Sequence, residues 1–304
     1  MEKLDLIKRA LDSNAFDSAE TAAGYVNPEY WDKQLFDHIR ANLVVLPAGR
    51  DMTSRFPKDG DTFNMSLLAE PASASSVAET ASVAIVAFAP TQVVLSPSEH
   101  GIAYQTTDKE LRRAFFPLMD QFTQDIGYGL ALQADTLAVS QCQNSAGNSI
   151  VANGVASTAL ASSDTMDHEE VARMMLENAK DKYTNHTALI VSMTQWKDLS
   201  QDSNFLTADK FGADAAVVRK GFVGMVYGIP TFATTQISEA GNDASAILIS
   251  SPDAFVYIFK TPSGGAIARD YIALERRHDI VGVIDFDVVV ARTNAICVNE
   301  TYTA

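Results

Sequence analysis

Between Lys58 and Lys109 the chain carries no lysine or arginine, and this stretch restricts the possible folds more than any other. Two strand-like runs, DTFNMSLL (61–68) and TQVVLSPSEHGIAYQTT (91–107), flank the small-residue segment AEPASASSVAETASVAIVAFA (69–89). Residues 59–107 therefore read as a long, extended β excursion. Its Ala, Ser and Val side chains offer too little apolar area to fix it without a partner, so the segment from Glu70 to Pro90 is expected to be mobile in an isolated subunit and to order on assembly. A coreless loop of this length is uncommon in a compact monomer. It usually packs on a neighbour or carries function.

The same need for a partner recurs at the start of the chain. Leu4, Ile7 and Leu11 predict a short amphipathic helix, and Trp31, Leu35, Phe36 and Ile39 recur at helical spacing in the arm that follows. Such an arm cannot bury a core of its own. Thr107 and Glu110 fit a capping box that opens a helical stretch. Beyond Pro117, which suits a first helical position, Leu118, Phe122, Ile126, Leu130 and Leu137 predict one long helix to about Gln141. Residues 141–165, rich in Gly, Ser and Asn, read as a connector. Asp167 and Glu170 then cap an amphipathic helix carrying Val171, Met174, Met175 and Ala179, followed by a buried strand ALIVSM and a short helix TQWKDLSQ, which together suggest a compact α/β unit. The tail supplies strands again, in ASAILISS, AFVYIF, DYIALERR and DIVGVIDFDVVVARTNAICV. Their place near the C-terminus suggests a sheet that joins the long helix rather than the α/β unit.

Composition excludes several functions. The formal charge of -15 argues against a protein that grips nucleic acid through its phosphates, which requires a basic face. Cys142 and Cys297 stand far apart with no ligand spacing, so they read as free, buried thiols in a reducing compartment. The N-terminal stretch MEKLDLIKRALDSNAF mixes acids and bases and does not read as a signal peptide; no run is long and apolar enough to span a bilayer, so no membrane partner is expected.

Catalytic motifs are equally scarce. Lys220 to Ile237, KGFVGMVYGIPTFATTQI, holds Gly221, Gly224 and Gly228 between aromatic and β-branched residues. A phosphate cradle would need a helix after the glycines, but a β-rich run follows, so Gly228 predicts the turn of a hairpin and Pro230 an exposed edge strand. TPSGGA (261–266) is a turn for the same reason. The histidines His38, His100, His168, His186 and His278 are scattered, and the sequence after His168 puts Arg173 and Met174 where a second ligand would stand. The acidic pairs Asp59/Asp61 and Asp285/Asp287 alternate, which places each pair on one face, most simply a solvated one. The sequons at Asn64, Asn185 and Asn299 carry no weight in a cytoplasmic protein. No catalytic, cofactor-binding or metal-binding set emerges.

KGFVGMVYGIPTFATTQI, preceded by ALIVSMTQWKDL and a loop, resembles the axial-domain pattern of tailed-bacteriophage major capsid proteins, and VGVIDFDVVVARTNAICV resembles their closing strands. The order of elements around these blocks is similar along nearly the whole chain. The resemblance implies an α+β fold, the capsid fold named after the Hong Kong phage, with an N-terminal arm (1–50), an extended β loop (51–107), a spine helix (108–145), an axial domain (146–245) and a return to the peripheral sheet (246–304). It implies self-assembly into pentamers and hexamers of an icosahedral shell around double-stranded DNA that is not specifically bound. It also implies a virion location after assembly in the host cytoplasm, a portal, a separate scaffolding protein and a decoration or cement protein. Some relatives cross-link through a lysine on the extended loop, which this chain lacks. Two rivals remain: an encapsulin-like nanocompartment shell, and a soluble α/β hydrolase or metal-dependent enzyme using Asp285, Asp287 and His278.

Overall fold

The computed structural model describes residues 45–56, 61–68, 76–77, 82, 90–114, 118–156, 160–201, 222–239, 243–260 and 267–303. The expectations for the N-terminal arm, most of 69–89, Pro117, Gly221 and 261–266 lie outside the described residues. The chain divides into two units, one containing 101–129 and 264–282, the other 41–100, 130–263 and 283–304.

In the larger unit a six-stranded sheet runs in the order β5-β13-β9-β6-β8-β7. Its strands are β5 (Asn148–Val151), β6 (Ala188–Ser192), β7 (Phe222–Val226), β8 (Ile229–Thr234), β9 (Asp243–Ile249) and β13 (Ile296–Tyr302). Alternation sorts their side chains between two cores. Ile190, Ile247, Ile249 and Ile296 face one cluster with Ala138, Val139 and Cys142 of the long helix, together with Phe255 and Val288. Leu189, Val191, Leu248 and Cys297 face the other, with Val171, Met174 and Leu199 from two shorter helices, α3 (His168–Lys180) and α4 (Met193–Gln201). β6 is buried at all five positions because both of its faces are covered.

The long helix, α2, spans Leu118–Asn144 and its 27 residues extend roughly 40 Å. Ile126, Leu130, Ala134, Ala138 and Cys142 are buried along it at intervals of four, the stripe that helical periodicity requires. A short helix, α1 (Asp108–Arg113), precedes it with the expected capping box: Glu110 N–H donates to Thr107 Oγ1 at 3.3 Å, and Thr107 N–H donates to Glu110 Oε2 at 2.8 Å.

The excursion begins and ends as read from the sequence. β2 (Phe63–Leu67) pairs antiparallel with β3 (Thr91–Leu95), and β4 (Ser98–Thr107) follows. Met65 and Phe63 of this hairpin pack partly buried against Met52, Val93, Leu95, Val256 and Ile258. In the larger unit, β1 (Arg50–Asp51) pairs parallel with β10 (Phe255–Lys260), which pairs antiparallel with residues 285–290 of β12 (Arg277–Val290). In the smaller unit, β11 (Ile267–Ile272) pairs antiparallel with residues 277–282 of β12.

Three readings of the sequence need correction. The connector is not wholly irregular: β5 lies within it, paired parallel with β13. Two of the tail strands, β9 and β13, complete the α/β sheet by pairing with each other, and β9 also pairs with β6. Pro230 is not on the edge. It sits in β8, between β6 and β7, and is tolerated because the ladder to β6 starts one residue later, at Leu189 opposite Thr231.

The hairpin itself is as expected. Val226 opposes Ile229, leaving Tyr227 and Gly228 as a two-residue turn with φ of 52° and 77°, the left-handed pair that such turns need. A Cβ on Gly228 would touch nothing within 4 Å, so only backbone strain opposes substitution. Gly228→Val is expected to lose about 1 kcal/mol or more, read from urea unfolding, with less soluble, assembly-competent protein. ATP, NAD and phosphate should each leave the melting temperature of the unmutated protein unchanged; a rise of several degrees would restore the anion-cradle reading.

Candidate assembly surfaces

The candidate chemical groups are placed apart. Asp285 and Asp287 share a face of β12, with Asp285 opposite Lys260 and Asp287 accepting the Ser96 N–H at 2.7 Å. His100 stacks on Phe286 at 4.3 Å between ring centroids. His278 belongs to a different group, donating from Nε2 to Asp108 Oδ1 at 3.0 Å. Asp287 and His278 are thus engaged by other partners, while a buried Oδ1 of Asp285 has no hydrogen-bond partner among the described residues. Among the described residues no group of His, Cys, Asp and Glu could hold a metal ion. Asp61 is exposed, while Asp59 and His38 lie outside the described residues.

The remaining polar groups read as structural. His186 Nδ1 lies 2.8 Å from Ser250 Oγ, a spacing that could activate a nucleophile. Ser250, however, is almost fully buried and its oxygen already accepts a hydrogen bond from Asn178 Nδ2 at 2.6 Å, so no substrate carbonyl can reach it. Burial also holds His186 below its ordinary pKa and favours the neutral ring, which suits this internal contact. Cys142 and Cys297 are free and buried, and desolvation pushes both thiols up to about 12, leaving them unreactive. Asn299, the asparagine of a sequon, is fully buried.

A depression of about 290 Å³ is lined by Met193, Thr234, Thr235, Ile237, Ser238 and Glu239 at the start of α4. Its anion position is taken. Glu239 Oε1 accepts the Thr194 N–H at 3.2 Å; burial works against this carboxylate, but hydrogen bonds from Ser192 and Thr194 outweigh it and hold its pKa below the usual range.

What the surface does offer is apolar. Met225 (61% exposed) and Tyr227 (53%) crown the β7–β8 hairpin, Leu68 and Val94 stand out from the β2–β3 hairpin, and Leu176 projects from α3. Leu274, in the turn between β11 and β12, is 99% exposed. Large apolar side chains displayed on hairpin tips and strand faces are the raw material of protein contacts, not of a concave reaction site.

Solved structures share this architecture. A chain from Mycobacterium phage Che8 superposes with a TM-score of 0.71 at 17% identity, over 90% of this chain and 96% of that one. The capsid of Ralstonia phage GP4 gives 0.67 at 12% identity over 96% and 98%, and the capsid of the native GTA particle 0.69 at 10% identity over 95% and 100%. At these identities the likeness is one of fold, and the fold is the phage capsid fold named after the Hong Kong phage. The family model for phage capsid protein matches residues 90–301, and the chain belongs to that family. No curated relative matches it by sequence. Family and fold together make it a structural protein of a capsid shell, with its place in the virion.

None of the exposed tips was legible as a site. Met225 and Tyr227 look like ordinary hairpin residues: strand alternation turns Met225 outward beside the buried Val226, and the left-handed turn places Tyr227 at the tip.

Proposed function

We propose that this chain self-assembles into pentamers and hexamers that tile an icosahedral shell around double-stranded DNA. The family match over residues 90–301 carries the reading. The charge of -15 supports the DNA part, because a wall with a dense negative charge repels packaged phosphate instead of gripping it. In this assignment the six-stranded sheet with α3 and α4, built on residues 146–245 and closed by β13, is the axial domain. The spine helix with β10, β11 and β12 forms the peripheral part, residues 51–107 the extended loop, and 1–50 the arm. The arm and loop become stabilising once draped over neighbours, at roughly 25 cal/mol per Å² of apolar area buried. Assembly takes place in the host cytoplasm with a separate scaffolding protein and a portal. A decoration protein can reinforce contacts that the chain does not lock covalently.

Purified protein viewed in negative stain is expected to show closed shells; monodisperse monomers under all conditions would defeat the proposal. Boiling the shells in SDS should release a single band near 32.8 kDa, because residues 59–107 contain no amine for an isopeptide bond. A ladder of multimers would contradict this.

A further inference from the structure

Asn153 followed by Gly154 is the one Asn-Gly step among the 304 residues. The pair is exposed, in a 3-10 turn at Ala152–Gly154 that follows β5. Asparagine before glycine is the arrangement most prone to lose its side-chain amide, because no Cβ on the next residue shields the backbone nitrogen that attacks. The Gly154 nitrogen adds to Asn153 Cγ and gives up its proton to solvent, Nδ2 leaves as ammonia, and a cyclic imide forms. Water opens that ring at either carbonyl, leaving aspartate or isoaspartate. Nothing is oxidised or reduced, and water is the sole co-reactant.

The fold holds Asn153 in a conformation from which this ring cannot close. Its φ of 54° and ψ of 10° set the Gly154 nitrogen alongside the Asn153 nitrogen, turned away from Cβ. Closure needs rotation about ψ, which breaks the bond from the Val155 N–H to the Ala152 carbonyl at 3.3 Å. Two carboxylates oppose the motion. Asn153 N–H donates to Glu170 Oε1 at 2.9 Å, and Asn153 Nδ2, the leaving group itself, donates to Asp164 Oδ1 at 2.8 Å. Asp164 is buried and fixed in turn: its Oδ2 accepts the Ala161 N–H at 2.9 Å, and its own N–H donates to the Ala161 carbonyl at 2.8 Å. The Ala161 bond, with that from Asn153 adding to it, holds the Asp164 carboxyl below its ordinary pKa, so it stays an acceptor.

We infer that Asn153 is a deamidation site that the turn keeps latent, with Asp164 as the restraint on the leaving amide. The reaction then runs only through molecules in which the turn has opened, and its rate follows the population of that open form. It is also one-way. A carboxylate at position 153 faces Asp164 across a former hydrogen bond, so like charges replace a donor and an acceptor, and the turn does not reclose on its old geometry. Asp164 is a positioning residue: it takes no part in the bond changes. The inference stands apart from the capsid reading, since it uses only contacts within one subunit.

The test incubates the full chain at mildly alkaline pH, folded and in denaturing urea, and follows conversion of amide to acid at each asparagine by peptide mapping in a mass spectrometer. Conversion at Asn153 is expected to be at least roughly tenfold slower in the folded protein than in urea. Equal rates would overturn the inference. Asp164→Ala removes the acceptor and should raise conversion at Asn153 at least roughly threefold in the folded protein while leaving the rate in urea unchanged. The fully buried Asn178 reports global opening and should convert no faster in this variant. A rise at both positions alike, or at neither, would overturn the role of Asp164. Asn153→Asp supplies the product without the reaction and should melt several degrees below the unmutated protein; an unchanged melting temperature would overturn the claim that the product cannot reclose. The comparison of folded protein with urea uses the unmutated chain, so it decides the inference even if Asp164→Ala fails to fold.

Discussion

Replacing Glu170 by alanine is expected to destabilise the subunit by about 3 kcal/mol, a large loss for a side chain outside the apolar core. Glu170 is only 3% exposed. Its Oε1 accepts the Asn153 N–H at 2.9 Å and Arg173 at 2.6 Å, and its Oε2 accepts Asn299 Nδ2 at 3.0 Å. Asn153 holds a left-handed φ of 54°, so the turn after β5 depends on that carboxylate for its shape. Alanine leaves the fully buried Asn299 amide without its acceptor and removes the bond that shapes the Asn153 turn, whereas the partly exposed Arg173 turns to water at little cost. Glu170→Gln should retain most of the stability. Its amide oxygen can keep the Asn153 bond, and a flip of the Asn299 amide brings an oxygen that otherwise has no partner to meet the new NH₂. Urea unfolding of the two variants checks this: equal losses would show that charge, not hydrogen bonding, governs the site.

The second large effect is expected at Asp135, fully buried on α2. Its Oδ1 accepts from the Val45 N–H at 2.9 Å and the Leu46 N–H at 3.0 Å. These open a 3-10 turn at Leu46–Ala48 whose own N-cap residue, Val45, has no side chain able to cap it. The spine thus supplies, from 90 positions away, the cap that the local sequence lacks. Asp135→Ala strands both donors and should cost about 2–4 kcal/mol, with faster tryptic cleavage at Arg50 than in the parent. Asp135→Asn keeps an acceptor and should lose about 1 kcal/mol. A tryptic rate at Arg50 unchanged in Asp135→Ala would show that the turn holds without its distant cap.

Both residues mark where sequence reasoning stopped. Glu170 is visible as part of a helix start, and Asp167 does cap that helix by accepting the Glu170 N–H at 2.9 Å. Nothing local announces that the Glu170 side chain turns inward to meet Asn299, because a buried carboxylate and a solvated one look alike in a string of letters. The features that were legible are those with short-range causes: the Thr107–Glu110 capping box, the four-residue stripe on α2, the Tyr227–Gly228 turn. Strand partnership is a long-range property. NSIV inside a Ser- and Gly-rich stretch becomes β5 only because Cys297 to Glu300 lie alongside it, and two of the tail strands, β9 and β13, join the α/β sheet against expectation for the same reason. Leu274 left no trace either, since an exposed leucine in LERR and a buried one share the same pattern.

The position of β13 also sets a clock on synthesis. Among the described residues β5 has no strand neighbour except β13, and β9 keeps an open edge until β13 arrives. A ribosome adding about 5–20 residues per second needs roughly 7–30 s to travel from residue 148 to residue 296. Over that interval the nascent chain gains its remaining helices and the β7–β8 hairpin but still lacks the finished sheet. The order of synthesis therefore makes this sheet a late product: its β5 and β9 edges are joined only once the chain has been translated through β13.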